Sequence, residues 1–328
     1  GTIKNLNIEL DSQGINGDSY IGAIAGYIST GSTIDNVTVT GNINGIGSDI
    51  GGIAGVVNYG AKITNSYFEG NINGEGDDVG GIAGWVDSGS EITGSYSKGD
   101  ISGTGINVGG IAGLVQGGAK ITNSYSEGDI SGVDDVGGIA GWVNGGSEIT
   151  GSHSKGDISG TGFVGGIAGK VENSEVTNSY SEGSVSGNEH IGGIAGLAHF
   201  SSIIKNYSTG DIIGTGNNVG GIAGWSTSGT ITHNVAINPY VNGLTANRVV
   251  GRADNYGTPP ITQYNFALEE TTVNGDLRSD TDLDGAAKTA VELKTKATYE
   301  SLGWNIPAIW KIDAGKNGGY PYLYWQEL

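Results

Sequence analysis

The chain has 328 residues, of which 64 are glycine and 5 are proline, and its formal net charge at pH 7 is −19. The glycines follow no strict three-residue period, which excludes collagen, and the frequent Ile, Val, Ala, Tyr and Trp exclude a disordered chain. The acidic balance argues against nucleic acid and anionic membranes as partners. The absence of cysteine removes disulfides and thiol chemistry and suits an extracellular surface. No apolar stretch approaches the roughly 20 residues of a membrane helix and no signal peptide precedes Gly1, so we expect a mature or excised segment without membrane insertion.

A repeat of about 28 residues runs through most of the chain. The pentapeptide Gly-(Gly/Ala)-Ile-Ala-Gly begins at Gly22, Gly51, Gly80, Gly109, Gly137, Gly165, Gly192 and Gly220. Each period holds three short β-branched phrases separated by Gly, Asn, Asp and Ser, and no window shows helical spacing before about residue 285. Three short strands per period predict one coil of a parallel β-solenoid, in which equivalent residues stack about 4.8 Å apart. A β-propeller, the alternative, needs blades of about 40 residues.

Comparison of the coils separates the inside of the predicted solenoid from its surface. Three columns are almost purely aliphatic and form the predicted core, with Ile82, Ile92 and Ile101 as their members in one coil. A fourth column holds residues that can occupy left-handed corners: Asn36, Asn65, Gly94, Asn123, Gly151 and Asn178. Charges alternate along two further columns, and we expect each Glu to pair with a Lys on a neighbouring coil: Lys62, Glu91, Lys120, Glu148 and Glu175, then Glu69, Lys98, Glu127, Lys155 and Glu182.

The composition changes near residue 253. Residues 1–253 are predicted to form the parallel β-helix, with 1–21 as a partial first coil of an array cut from a longer one. After Ala253 the pattern degrades and tryptophans concentrate, so residues 254–328 are predicted to form an irregular C-terminal cap. We favour a right-handed helix because these coils exceed the coils of about 18 residues in the tight hexapeptide type.

The repeat also resembles a known bacterial motif. Phrases such as Val79-Gly-Gly-Ile-Ala-Gly-Trp85 and Ile121-Thr-Asn-Ser-Tyr-Ser-Glu-Gly128 are similar to the GLUG motif, with Ile-Ala for the commoner Leu-Val and Ser where many members have Cys. The resemblance covers about residues 20–253, and the ending from Trp304 to Trp325 resembles the tail that often follows GLUG arrays. It implies a secreted or cell-surface bacterial protein, often an adhesin and sometimes the non-catalytic part of an immunoglobulin A peptidase. It carries neither a catalytic residue nor a ligand over to this chain.

Catalytic chemistry has little support in the sequence. Polysaccharide-degrading β-helices need paired carboxylates, or calcium with a nearby Lys or Arg base, and this chain has only three arginines, Arg248, Arg252 and Arg278. The pairs Asp77-Asp78 and Asp134-Asp135 lie in turn phrases, where Asp is common. We therefore predict no catalytic residue and no enzyme, with a polysaccharide-degrading enzyme as a less favoured alternative.

Two sets of residues are candidates for binding. Asp100, Asp129 and Asp157 occupy one column on successive coils, and stacked like charges favour either solvated acids or a bridging calcium ion. No other cofactor is predicted. Exposed aromatic residues are candidates for polysaccharide binding, since Trp85 and Trp142 lie two coils, or about 10 Å, apart. The residues of this aromatic stripe are Trp85, Trp142, Trp225, Tyr27, Tyr96, Tyr125 and Tyr180.

The sequence therefore predicts a non-catalytic adhesion or presentation module, extracellular and secreted or attached to a bacterial cell surface, and monomeric within a longer chain. Its expected partner is a receptor on a host or neighbouring cell. The alternative is a polysaccharide-binding module that uses the aromatic stripe, provided that no other part of the chain covers these residues.

Overall fold

Each column of the repeat becomes a ladder in a parallel β-solenoid. The computed structural model describes residues 1–277 and 282–327 and forms about ten turns of about 28 residues, with almost no helix. Stacked strands pair parallel and in register, so that Ile92 lies beside Ile63 on one side and Ile121 on the other. The prediction of an all-β parallel β-helix is confirmed, and its handedness stays a prediction.

A coil contains five short strands in four sheets, rather than the three strands that we expected. In one coil they are Val79–Gly80, Ala83–Val86, Glu91–Thr93, Tyr96–Lys98 and Ile101–Gly103. We number the sheets 1 to 4 in this order, and the third and fourth strands both belong to sheet 3. The expectation was too low because strands of two or three residues are too short to leave a hydrophobic period of their own.

The strand bounds follow the repeat closely. Sheet 1 contains Ile50–Gly51, Val79–Gly80, Val108–Gly109, Val136–Gly137, Val164–Gly165, Ile191–Gly192, Val219–Gly220 and Ala246–Asn247. Sheet 2 contains Ala25–Ile28, Ala54–Val57, Ala83–Val86, Ala112–Val115, Ala140–Asn144, Ala168–Glu172, Ala195–His199, Ala223–Thr227 and Val250–Asp254. Sheet 3 contains Thr2–Glu9, Thr33–Thr40, Lys62–Thr64, Tyr67–Glu69, Glu91–Thr93, Tyr96–Lys98, Lys120–Thr122, Tyr125–Glu127, Glu148–Thr150, His153–Lys155, Glu175–Thr177, Tyr180–Ser181, Ser202–Ile204, Tyr207–Ser208, Thr230–Thr232, Val235–Ala236, Phe266–Leu268 and Ala286–Lys288. Sheet 4 contains Ile15–Gly17, Ile43–Gly45, Ile72–Gly74, Ile101–Gly103, Ile130–Ser131, Ile158–Ser159, Val185–Gly187, Ile212–Gly214, Tyr240–Asn242, Thr272–Val273 and Asp276–Leu277.

The helical segments all lie near the C-terminus. An α-helix spans Lys296–Ser301, and 3-10 helices span Glu292–Lys294, Asn317–Gly319 and Tyr324–Glu327. A small separate sheet pairs Trp310–Lys311 with Tyr322–Leu323 in antiparallel fashion. Within residues 1–277 and 282–327, no helix has the length and apolar character needed to cross a membrane.

The aliphatic columns fill the interior, as predicted. Ile82 and Ile92 are fully buried and Ile101 is 1% exposed, and the valines of sheet 1, such as Val79, add a fourth buried ladder. Burying one such side chain contributes roughly 1.5–3 kcal/mol relative to leaving it exposed. Since every coil repeats the same columns, each buried side chain packs between equivalents on the coils before and after it.

A buried polar ladder runs beside this core. The Ser95 N–H donates to Ser124 Oγ at 3.3 Å, and the Ser124 N–H donates to Ser152 Oγ at 3.2 Å. Toward the C-terminus Asn206 and Asn234 occupy the same position. Their Oδ1 atoms accept hydrogen bonds from backbone N–H groups of the preceding coil. These side chains supply acceptors to buried N–H groups, which would otherwise cost free energy.

The corner column behaves as the sequence predicted, whereas the charge columns do so in part, since Glu175 stacks on another acid, Glu148. The corner residues adopt left-handed φ values between 48° and 61°: Asn36, Asn65, Gly94, Asn123, Gly151 and Asn178. Ion pairs link neighbouring coils at N–O distances of 2.8 to 3.3 Å: Lys62–Glu91, Lys98–Glu127 and Lys120–Glu148. These half-exposed pairs help to set the register and contribute little to stability.

The stacking continues past residue 253. Phe266–Leu268 pairs with Val235–Ala236, and Ala286–Lys288 pairs with Phe266–Leu268, both in parallel register. The hairpin of Thr272–Val273 with Asp276–Leu277 is antiparallel. Residues 289–327, which we call the C-terminal tail, then run back along the outer face of sheet 3, from the coil of His233 to the coil of Gly151.

Candidate functional site

The outer face of sheet 3 carries one stacked column of rings, which we call the aromatic ladder: Tyr67, Tyr96, Tyr125, His153, Tyr180 and Tyr207. Neighbouring ring centroids are 4.1 to 4.9 Å apart, and the interplanar angles are 3° to 22°. Each ring therefore lies over the next one, so that ladder neighbours occupy the ring faces and the ring edges point outward. A sugar that packs on an aromatic face finds little free surface along such a stack.

The C-terminal tail covers half of the aromatic ladder. His153, Tyr180 and Tyr207 are at most 2% exposed, whereas the three members nearer the N-terminus are half-buried. The Trp310 ring lies 6.1 Å from Tyr180 and 5.7 Å from Tyr207, and the Trp325 ring lies 5.5 Å from His153. Trp310, Tyr180 and Tyr207 belong to a second apolar cluster, distinct from the solenoid core, and Trp325 packs against it. Tyr180, a predicted ligand-binding residue, is thus inaccessible beneath the tail.

Three tail tryptophans attach to the solenoid in one common way. The corner column continues past Asn178 with Lys205 and His233. Each indole N–H donates to a residue of this column, and the pairs are Trp325 with the Gly151 carbonyl (2.9 Å), Trp310 with Asn178 Oδ1 (3.4 Å) and Trp304 with the His233 carbonyl (2.8 Å). The three acceptor residues all have left-handed φ values, of 61°, 50° and 60°. The corner column therefore acts as a row of acceptors beside the aromatic ladder.

Phenol groups add polar attachments between the tail and the ladder. The Tyr207 hydroxyl donates to the Pro321 carbonyl at 2.6 Å and accepts from Asn317 Nδ2 at 2.7 Å. Gln326 Nε2 donates to the Tyr180 hydroxyl at 2.7 Å. Burial raises the pKa of both phenols above the ordinary tyrosine value, so they remain neutral at these contacts.

Two adjoining crevices separate the tail from the ladder. One of about 350 Å³ is lined by Tyr180, Glu182 and Lys316, and one of about 260 Å³ is lined by Tyr125 and Trp325. Lys155 and Gln326 line both crevices. Their volumes lie at or below the lower limit of small-molecule sites.

The tryptophans of the predicted stripe lie on a different face from the tyrosines. Trp85, Trp142 and Trp225 are half-buried on the outer side of sheet 2. Lys170 Nζ lies 4.4 Å from the Trp142 ring centroid, and the Arg252 guanidinium lies 5.5 Å from that of Trp225. A cation of the neighbouring coil thus covers one face of each of these two rings.

The seven stripe residues therefore do not converge on one surface. Tyr27 is 47% exposed on sheet 2 in the first coil, whereas Tyr96 and Tyr125 lie half-buried on sheet 3. The expected outward direction of Trp85 and Trp142 agrees with their partial exposure, but their indole N–H groups are buried and have no hydrogen-bond partner among the described residues. A ligand-binding role for the stripe stays a prediction.

Trp225 lines a groove of about 610 Å³. Asp254 Oδ2 accepts from Trp225 Nε1 at 3.0 Å and from Arg252 Nε at 2.7 Å, which fixes both side chains at the groove. His190 packs edge-on to Trp225 with ring centroids 5.1 Å apart, and burial lowers its pKa below the ordinary histidine value. Asn218 completes this mixed aromatic and polar wall.

The predicted calcium column has a structural use. The Asp129 N–H donates to Asp100 Oδ1 at 3.0 Å, and the Asp157 N–H donates to Asp129 Oδ1 at 2.9 Å. The Ser184 N–H continues this ladder on Asp157 Oδ1 at 2.9 Å. All three acids are exposed, and residues 1–277 and 282–327 contain no cluster of three His, Asp or Glu placed to hold a metal ion. Calcium binding stays a prediction.

A second acidic column contains Asp49 and Asp135, which are buried, and Asp78, which is half-buried. From the sequence, Asp78 and Asp135 were interpreted only as turn residues. Desolvation raises the pKa of Asp49 to about 6 and the pKa values of Asp78 and Asp135 to about 7. Asn107 occupies the same column and donates from Nδ2 to Asp78 Oδ1 at 2.7 Å. Because an amide fits this position as well as an acid, the column favours a structural role over acid–base catalysis. The sequence feature that could have indicated this burial is the position of each Asp directly before the buried first residue of a sheet 1 strand.

One comparison with known proteins agrees with the repeat. The family model described as the GLUG motif matches residues 104–131 and 160–186. No curated protein matches the chain. A crystal structure described as "a putative immunoglobulin A1 protease from Bacteroides ovatus" is similar over 94% of this chain and 87% of that chain, with 19% sequence identity and a TM-score of 0.41.

One coil separates the two matched segments. Each segment begins before a strand of sheet 1, continues through sheets 2 and 3 and ends within a strand of sheet 4. This confirms the resemblance to the GLUG motif for these two segments of the chain.

Proposed function

We propose that this chain is a non-catalytic adhesion or presentation module on the outside of a bacterial cell. The observation that carries the proposal is that the side chains which a catalytic site would use are engaged between coils. Asp129 accepts a neighbouring N–H, Lys120 pairs with Glu148, and Tyr96 stacks between two other tyrosines. These contacts build a stiff body from short-range stacking, which suits holding a ligand or domain away from a cell.

The expected partner is a surface receptor on a host or neighbouring cell, and the module acts as a monomer within a longer chain. We expect no cofactor for this role, because Asp100 and Asp129 of the candidate calcium column accept N–H groups of neighbouring coils. Its strong negative charge disfavours nucleic acids and anionic membranes as partners.

The experiment is an adherence assay with beads that carry the purified protein, scored on cultured epithelial cells and on bacterial cells. We expect saturable adherence that free protein inhibits. In parallel, the protein is incubated with immunoglobulin A1, casein and a panel of acidic and neutral polysaccharides. Cleavage of any of these substrates by the purified chain would contradict the proposal, as would failure of the beads to adhere to every cell type.

A polysaccharide-binding module is the second candidate, favoured by the groove at Trp225. Arg252 and Asp254 form a fixed polar pair there beside an aromatic ring, a combination that suits sugar hydroxyls. A glycan array compares the wild type with Trp225→Ala and with the double variant Trp85→Ala/Trp142→Ala. Loss of glycan binding in Trp225→Ala alone supports this candidate, whereas an array without any bound glycan removes it.

A further inference from the structure

The free half of the aromatic ladder repeats the surface that the tail already occupies. Tyr67, Tyr96 and Tyr125 stack in the same column as the covered rings and are half-buried. Beside them lie the corner residues Gly94 and Asn123, with the same left-handed backbone as the residues that accept the tail indoles. We call this region, with Asn65 as its third corner residue, the open strip.

The open strip also contains free corner carbonyl oxygens, a type of acceptor to which the tail donates hydrogen bonds on the covered half. On the covered half, the Gly151 carbonyl accepts the Trp325 indole at 2.9 Å. The carbonyl oxygens of Gly94 and Asn123 accept no hydrogen bond from the described residues. Each of these two acceptors lies beside the edge of a stacked phenol ring, one and two coils before the Gly151 coil that accepts Trp325.

Trp325 of the tail lies at the border between the two halves. The Trp325 ring lies 6.0 Å from Tyr125 and 5.5 Å from His153, so that it contacts the last open member and the first covered member of the ladder. The open strip is therefore continuous with an interface that this chain already forms within itself. Aromatic side chains with a buried polar handle dominate the energetics of such interfaces.

We propose that the open strip docks an extended polypeptide segment of a partner protein, anchored by a tryptophan whose indole N–H donates to the corner carbonyl of Gly94 or Asn123. The ring of this tryptophan packs on the ladder as Trp325 does at the border. The inference rests on the contacts of the tail alone and is independent of the proposed adhesion function. It also differs from carbohydrate binding, because stacked rings offer edges to the partner and keep their faces for one another.

The test uses the full chain and a labelled peptide with the sequence of residues 317–327, NGGYPYLYWQE, as the probe. Fluorescence anisotropy should show saturable binding, and the peptide with Trp325→Ala should bind about tenfold more weakly or worse. The chain variant Tyr96→Ala should weaken binding by a similar factor, whereas Tyr256→Ala, at an exposed tyrosine away from the strip, should leave it unchanged. Hydrogen exchange of the wild type should show peptide-dependent protection at residues 94–98, which gives a readout even if Tyr96→Ala fails to fold.

Several results would overturn the proposal. Absence of peptide binding, equal binding of the Trp325→Ala peptide, or protection confined to residues 151–180 would each do so. Stronger peptide binding by Tyr207→Phe would show that the probe displaces the tail, since this variant removes the hydroxyl that donates to Pro321. A concentration-dependent dimer that Tyr96→Ala abolishes would assign the strip to a second copy of the chain instead.

Discussion

Trp325 and Gly151 are 174 residues apart in the chain, and the indole N–H of Trp325 donates to the Gly151 carbonyl at 2.9 Å. This contact closes the C-terminal tail over the side of the solenoid. It also determines which aromatic rings face solvent, because Tyr180 and Tyr207 are buried on one side of it while Tyr96 stays half-exposed on the other.

The tail should come loose when its central tryptophan is removed. Trp310 is fully buried, with ring centroids 4.7 Å from Trp304 and 5.7 Å from Tyr207. We expect Trp310→Ala to reduce the free energy of opening the tail by about 3–5 kcal/mol. Hydrogen exchange should then show faster exchange in residues 292–327, with little change in the coils before residue 120. Tyr324→Ala, at a 40% exposed position of the tail, is the control, and an equal effect of both variants would argue against the tail packing.

Close approach between coils should make one glycine far less replaceable than another. A Cβ on Gly110 would lie 2.2 Å from the Gly138 carbonyl oxygen and 2.5 Å from Ser126 Oγ. A Cβ on Gly118 meets nothing within 4 Å, although its φ of +77° is unfavourable for alanine. We expect Gly110→Ala to lower the free energy of unfolding by about 3 kcal/mol or more and Gly118→Ala by about 1–2 kcal/mol. Denaturant titration of both variants measures these free energies. A smaller loss of stability in Gly110→Ala than in Gly118→Ala would contradict the close spacing of the coils.

The buried acids should make the solenoid more stable in mild acid. Desolvation raises the pKa of Asp78 and of Asp135 to about 7, so the folded state keeps protons that the unfolded state loses above its ordinary pKa near 4. The unfolded state is therefore favoured progressively as pH rises from about 4 to about 7, and the melting temperature should fall over this interval.

Removing the titration of one such acid should reduce this pH dependence. Asp78→Asn keeps an acceptor for Asn107 Nδ2, and Asn107 itself shows that an amide fits the column. We expect this variant to stabilise the protein by about 1–3 kcal/mol at pH 8 and by almost nothing at pH 4. Thermal melts at both pH values check it, with Asp18→Asn at an exposed site as the control. A variant that is less stable than the wild type at pH 8 would contradict the assignment.

The exposed column of Asp100, Asp129 and Asp157 should stabilise the fold through its hydrogen bonds. Asp129 Oδ1 accepts the Asp157 N–H at 2.9 Å, a bond that Asn can also make and Ala cannot. We expect Asp129→Ala to cost about 1–2 kcal/mol of stability and Asp129→Asn to cost less than half of that. Melts of the wild type with calcium and with a chelator test the alternative use of this column. A melting temperature that rises with calcium in the wild type, and no longer does so in Asp129→Asn, would favour the metal.

Most of the fold could be predicted from the repeat in the sequence. Columns such as Ile63, Ile92 and Ile121 recur at a nearly constant spacing, so parallel register and the buried face follow from periodicity alone. The left-handed conformation of the corner residues Asn65 and Asn123 could also be predicted from the sequence, because few other side chains tolerate such a backbone.

The covering of the aromatic ladder lay beyond such reasoning. The tail carries no repeat, and its contacts with Gly151 and Asn178 join positions 132 to 174 residues apart, which no local pattern encodes. The desolvation of Asp78 could not be predicted for a related reason. An Asp in a turn is normally exposed to solvent, and only the neighbouring coils bury this one. Sequence could therefore place the ladders but not the surfaces that remain open.

The most direct test of the account measures one distance along the solenoid. Asn73 and Ile213 are exposed members of one column of sheet 4, five coils apart, and the chain contains no native cysteine to interfere with labelling. Spin labels on Asn73→Cys/Ile213→Cys should give a narrow distance distribution centred near 24 Å plus the label length, from five steps of about 4.8 Å. A broad distribution, or one centred beyond about 40 Å, would contradict a continuous in-register stack as the basis of a stiff presentation module.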